Sequence, residues 1–442
     1  MFTTGSLMRH VIVMTVTGSI GLVAVFAIDL LSLFWVSKLG EQALRAAIGY
    51  SSQTFFLLMS VNIGLTIASA ATVSRALGAD DRPRARQLAA SGLTIAFCVS
   101  LALSVLLFVF RDAMLLNVMH AQGRAAEVAS DFLAITIPAN VPMALGMALS
   151  GVLRACGDAK RAMYVTLAGA VVTAFTDPLF IFGLHMGVYG AAWATVVSRL
   201  TFLGVGLWGA VWIHDLVALP RLDHVRRDLT PIMGIGLPAI MANLATPVAA
   251  IFVTRIWSGF GVATVAGGAI VDRVVPLAFS VIFALTGSIG PIIGQNFGAR
   301  HFQRVERAIL DSLIVAVGYA LFAWGALALL APGIVTAFGA SGESADFVLL
   351  SCRLGAMAWL FFTCLFVANT AFNNLGFPVL AMVFNWGRAT LGTMPFVALG
   401  ALWGGVQGAI VGMICGSAIF GLGAVATAFV VVGRLAKEAN SG

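Results

Sequence analysis

The apolar runs constrain this chain before any motif does. Breaking the sequence at its charged and turn-rich segments leaves stretches at about 11–36, 45–73, 88–110, 128–153, 162–183, 187–212, 232–257, 262–296, 309–331, 345–371, 379–402 and 405–433. A helix needs about 20 apolar residues to cross a hydrocarbon layer of about 30 Å, and each run is of that order. Only 10% of the residues are charged, where a soluble domain carries nearer about 25%. The expectation is an all-α integral membrane protein of twelve transmembrane helices.

Orientation follows from lysine and arginine. One set of alternate loops holds sixteen of them, including Arg75, Arg82, Arg84 and Arg86 in a single loop; the other holds four, Lys38, Arg45, Arg111 and Arg124. The positive-inside rule then places both termini in the cytoplasm. It also absorbs the net charge of +7, so no nucleic-acid partner is implied. The five cysteines are scattered without CxxC spacing and read as small apolar side chains, neither disulfides nor a metal site. The first apolar run is too long for a signal-peptide core and reads as a retained helix.

The chain matches itself. Leu77-Gly78-Ala79 with Arg84 faces Phe297-Gly298-Ala299 with Arg304; Gly157 faces Gly376, Pro178 faces Pro395, and Gly187-Val-Tyr-Gly-Ala191 faces Gly405-Val-Gln-Gly-Ala409. The nearly constant offset predicts two pseudo-symmetric six-helix lobes, residues 1–213 and 231–442, joined by a polar linker at 214–230. Six helices per half is even, so the repeats run parallel, an arrangement suited to alternating access.

Three acids lie within spans: Asp29, Asp177 and Asp272. A membrane-embedded acid is retained when it is paired, hydrated or functional. Asp29 has no basic residue within two turns on its own helix. Asp177 precedes Pro178, whose missing N–H frees the Ala174 carbonyl beside a carboxylate. At the repeat offset both acids face apolar positions, near Ala250 and Met394, which puts the coupling chemistry in the N-terminal half. Asp272 is followed by Arg273, and either forms an ion pair with Arg255 or Arg388 or contacts substrate. Gln53, Asn62, Asn140, Asn243, Asn369 and Asn373 add polar groups for a substrate cavity.

These segments resemble the multidrug and toxic compound extrusion (MATE) family. The resemblance rests on Asp29 with Lys38-Leu39-Gly40, on Val73-Ser-Arg-Ala-Leu-Gly-Ala79, on Thr176-Asp-Pro-Leu-Phe-Ile-Phe-Gly183, on Gly187-Val-Tyr-Gly-Ala-Ala-Trp-Ala-Thr195 and on Gly290-Pro-Ile-Ile-Gly-Gln-Asn-Phe-Gly-Ala299. It implies a V-shaped antiporter of the bacterial inner membrane, a monomer that expels cationic or amphipathic small molecules against H⁺ or Na⁺. The seventh span carries no acid, so the chain is similar to the DinF-like branch, whose N-lobe acids match Asp29 and Asp177. That branch's cation cage adds a threonine matched by Thr195 and an asparagine replaced here by Thr173. The replacement tilts the expectation toward protons; with Na⁺, Asp29 and Asp177 would be metal ligands. No enzyme motif and no cofactor is expected. The alternatives are a lipid-linked saccharide flippase of the same superfamily, for which the cavity arginines are too few, and a major-facilitator protein, whose loop motif is incomplete at Pro83-Arg84.

Overall fold

The computed structural model describes residues 2–37, 39, 42–119 and 121–441. Lys38 and Gly40 of the sequence reading, and the side chain of Arg45, lie outside that set. Among the described residues the chain is helical throughout its ordered elements, with no strand.

The first half comprises α1 (Leu7–Ser37), α2 (Gln42–Gly78), α3 (Arg82–Ala113), a bent α4 (Gly123–Thr136 and Asn140–Ala155), α5 (Ala159–Pro178) and α6 (Val188–Leu207). The second comprises α7 (Leu222–Ser258), α8 (Val262–Ala278 and Ser280–Gly298), α9 (Phe302–Ala337), α10 (Glu343–Arg353 and Ala358–Leu375), α11 (378–403) and α12 (406–441). Ten described helices are long and apolar enough to cross a membrane, or eleven when the two parts of α4, bent by 51°, count as one span. The last of them, Pro378–Ala439, has 62 residues. A straight helix of that length would run about 93 Å at 1.5 Å per residue. It reverses instead at Gly404 and Gly405, where the backbone leaves the helical region. The two arms then lie so close that a β-carbon on Gly408, Gly412 or Gly416 would strike the carbonyl of Gly400, Phe396 or Gly392. One helical stretch is therefore a hairpin of two, and the total is the expected twelve.

The halves agree in backbone as well as sequence. Positive φ recurs at Asp80 and Arg300 (58° and 59°), Gly123 and Gly342 (59° and 55°), Gly157 and Gly376 (93° and 95°), and Gly187 and Gly405 (59° and 58°). L-residues adopt this region at a cost, so chains reserve it for obligatory turns.

The chain forms two compact units, Ile20–Ile240 (the N-terminal lobe) and Met1–Ser19 with Met241–Gly442 (the C-terminal lobe). Both α1 and α7 thus begin in one unit and continue in the other. The segment 214–230 is helical from Leu222, and its Asp228 is fully buried. Within the N-terminal lobe Arg84 pairs with Asp228 at 2.7 Å, while Gln87 and Ser91 donate to Asp228 Oδ2 at 3.0 and 2.7 Å. Within the C-terminal lobe its repeat counterpart Arg304 donates to the carbonyls of Phe2 and Gly5 at 3.1 Å each, and to Asn296 Oδ1 at 3.0 Å. Each arginine of the repeated motif therefore fastens the start of a helix that goes on into the other unit.

Candidate functional site

The N-terminal lobe brings the two predicted acids together. Asp177 sits in the last turn of α5, 2% exposed. The helix continues past Pro178 as a π-helical turn, Leu179–Gly183, because proline cannot donate back to Ala174. Ser32, one turn after Asp29 on α1, donates a short hydrogen bond to Asp177 Oδ2, so α1 is clasped to α5 beside the first acid. Asp29 itself is exposed and lies within electrostatic range of both Asp177 and Arg199. A carboxylate midway along a spanning helix persists where water, a cavity or a charged partner reaches it.

Sequence reading passed over Arg199 and Ser32. Arg199 lies on α6, 9% exposed, one turn beyond Thr195. Its Nη1 donates to the Thr136 carbonyl at 2.8 Å, satisfying a group left open where α4 breaks, and its guanidinium lies 4.9 Å from the Phe55 ring centroid. Arginine in an apolar helix was the available signal; nothing in one sequence tells which acid it faces.

Thr173 and Thr195 flank the acids but turn inward on their own helices, donating to the carbonyls of Gly169 at 3.0 Å and Ala191 at 2.9 Å. Ser198 also donates to Gly169 at 3.0 Å and stitches α6 to α5. A separate polar chain runs across the same lobe. Asn62 on α2 donates to Asn140 Oδ1 at 2.8 Å, and Asn140, where α4 bends, donates to Ser104 at 3.3 Å; both asparagines are buried. Gln53, on α2, is exposed.

The remaining cavity residues lie in the C-terminal lobe. Asn243 is half-buried on α7; Asn369 is half-buried and Asn373 buried on α10. Asp272 and Arg273 are both exposed on α8. The expected ion pair of Asp272 with Arg255 or Arg388 is not formed among the described residues: Arg388 turns instead to Thr246 and Phe362. Adjacent residues on a helix point about 100° apart, so Asp272 and Arg273 do not close on each other either.

The sequence profile of the MatE family matches the chain twice, over residues 19–179 and 238–399. This chain belongs to the MatE family of membrane transporters. A relative from Shewanella oneidensis described as "FAD transporter" is 26% identical over 94% of this chain and 92% of its own length. One from Thermotoga maritima described as "Probable multidrug resistance protein NorM" is 24% identical over 85% and 83%. The fold agrees with a solved structure described as an outward-facing multidrug resistance MATE transporter of the MOP superfamily, at TM-score 0.93, 22% identity and 99% and 98% coverage. It agrees also with a crystal structure of a MATE transporter in the straight conformation, at TM-score 0.92, 21% identity and 99% and 98% coverage. MatE proteins are transporters rather than enzymes, and the two profile matches begin and end at the spacing of the internal repeat.

Proposed function

We propose that this MatE transporter is a secondary antiporter that exports aromatic, amphipathic small molecules in exchange for protons, with coupling in the N-terminal lobe. The observation that carries the reading is the clasp of α1 to α5: Ser32 on Asp177, with Asp29 one turn away. A carboxylate can only accept the serine hydroxyl; a protonated carboxyl gains a donor of its own, so on protonation the pair must reverse its hydrogen bond or release it. Protonation of either acid also removes its repulsion for the other and, at Asp29, its attraction to Arg199. The conformation of α1 is thereby tied to proton occupancy, which is what an exchanger requires.

Protons are favoured over Na⁺ because a fixed guanidinium within range of Asp29 opposes a second cation there. The substrate class follows relatives of which one is described as a FAD transporter and another as a multidrug resistance protein. The same reading takes the transporter as a monomer in a bacterial inner membrane, with both termini in the cytoplasm. The test is efflux of a fluorescent aromatic substrate from proteoliposomes under an imposed ΔpH and, separately, an imposed Na⁺ gradient. The reading requires ΔpH alone to drive efflux; efflux driven only by Na⁺ would make Asp29 and Asp177 metal ligands instead.

A further inference from the structure

The C-terminal lobe buries a positive charge that the coupling chemistry does not use. Arg388 opens the π-helical turn Arg388–Thr393 of α11 and is 3% exposed. Its guanidinium makes one hydrogen bond among the described residues, a long one of 3.4 Å from Nη2 to Thr246 Oγ1, and its Nε is buried with no partner. No acid of the described residues acts on it. An arginine within a membrane-spanning helix pairs with an acid, with backbone carbonyls or with what the pathway carries; here the first two are absent.

Its surroundings suit a planar molecule. The guanidinium lies 4.3 Å from the centroid of Phe362, which begins a row of half-buried rings. Trp359 is 5.5 Å and Phe366 6.3 Å from Phe362, and Phe283 lies 5.9 Å from Trp359 and 5.7 Å from Phe366. Phe362, Phe366 and Asn369 follow at helical spacing on one face of α10, and Asn369 Oδ1 is buried without a hydrogen bond. Thr246, which holds Arg388, is exposed, so the cluster reaches the accessible surface.

We propose that the C-terminal lobe holds a binding site for an aromatic organic anion. Arg388 takes a carboxylate or phosphate through its forked N–H groups. The rings of Phe362, Phe366, Trp359 and Phe283 take the planar part, and Asn369 accepts from a hydroxyl or N–H on it. The proposal rests on the exporter reading and deepens it by giving the substrate a charge. A cation would meet repulsion at Arg388, and a lipid phosphate would leave the rings unused.

The test is binding without any gradient, so that it stands apart from coupling. Titration calorimetry in nanodiscs of zwitterionic lipid compares 1-naphthyl phosphate with 1-naphthylmethylammonium. The wild type should prefer the phosphate, and Arg388→Gln should lower the phosphate-to-ammonium affinity ratio about tenfold or more. Arg388→Lys, which keeps the charge and loses the fork, should lower it less, and it carries the test if the glutamine variant is not monodisperse. Phe362→Leu should weaken both compounds. An unchanged ratio in folded Arg388→Gln and Arg388→Lys overturns the proposal, as does a wild type that prefers the ammonium. Phosphate binding abolished by phosphatidylglycerol in the nanodisc would assign Arg388 to lipid headgroups and overturn it as well. Failure of ΔpH-driven efflux with this binding intact would count against the coupling reading alone.

Discussion

At four matched pairs of positions the N- and C-terminal halves of this chain enter the left-handed region with φ values that differ by a few degrees, yet their membrane-embedded charges do not correspond. Asp29 and Asp177 have no acidic counterpart at the repeat offset, and Arg388, which holds no acid, falls opposite the apolar stretch near Ala170. A duplicated backbone is held in place by constraints that act residue by residue: a turn needing glycine, or a hairpin whose arms meet carbonyl to glycine. On the reading proposed above, the two copies of one scaffold divide the work, with coupling in one and recognition in the other.

The largest expected effect tests that division. Asp29→Asn and Asp177→Asn should each reduce ΔpH-driven efflux to the level of protein-free liposomes while the protein remains monodisperse. Ala250→Asp, placed at the repeat partner of Asp29, should not restore transport to Asp29→Asn. Restoration would show that the halves are interchangeable.

Next comes the fastening of the two helices that change unit. Asp228 is fully buried and bonded to Arg84, Gln87 and Ser91. Its removal strips the partly exposed Arg84, together with Gln87 and Ser91, of a charged acceptor, and Asp228→Ala should lower unfolding stability in detergent by about 3 kcal/mol. Arg304 grips neutral carbonyls instead, so Arg304→Ala should cost about 2 kcal/mol. Equal losses would mean that the N-terminal clamp draws nothing extra from its ion pair.

The glycines provide a smaller and symmetrical comparison. Gly187 and Gly405 share φ near 59° and 58°, and neither would bring a β-carbon into a clash. Both have ψ near −140°, a conformation that favours glycine strongly, so alanine at either site should cost about 1–3 kcal/mol of backbone strain, and nearly the same amount at both in thermal unfolding. A large difference would show that one half tolerates the turn for reasons outside it.

Last is a difference between matched helix starts. Asp158 caps α5, accepting from the Arg161 amide at 2.9 Å and bonding His214 at 2.7 Å, where the corresponding residue before α11 is Phe377. Burial opposes the Asp158 charge, but the hydrogen bonds from the Arg161 amide, His214 and the Arg161 side chain outweigh it and hold the carboxyl below its ordinary range. A lowered carboxyl contributes stability that is fully present above the unfolded value and lost as pH falls through the folded one. Asp158→Ala should thus cost about 1 kcal/mol at neutral pH, with the difference from wild type vanishing in strong acid. A penalty that grew toward low pH would refute this assignment.

Much of this was legible in the sequence because membrane folds are constrained by simple quantities. Apolar run length gave the spans, and Gly187 and Gly405 gave the repeat. Acids in apolar helices pointed to Asp29 and Asp177. What escaped depends on which helix stands beside which. Ser32 looks like any serine until α5 is placed against it, and Arg199 and Arg388 look alike until one is seen near Asp29 and the other near none. The place where α1 and α7 pass from one unit to the other leaves no mark in composition, since both helices run on unbroken. The Asp272 ion pair was expected with Arg255 or Arg388 from other helices, but Arg388 turns toward Thr246 and Phe362.

Proton release on substrate binding tests the central claim most directly. Purified wild type in weakly buffered detergent, with a pH-indicating dye, should release protons when a transported aromatic substrate is added, and Asp29→Asn should release fewer or none. Undiminished proton release from Asp29→Asn and Asp177→Asn alike would place the coupling outside the N-terminal acids and contradict the account.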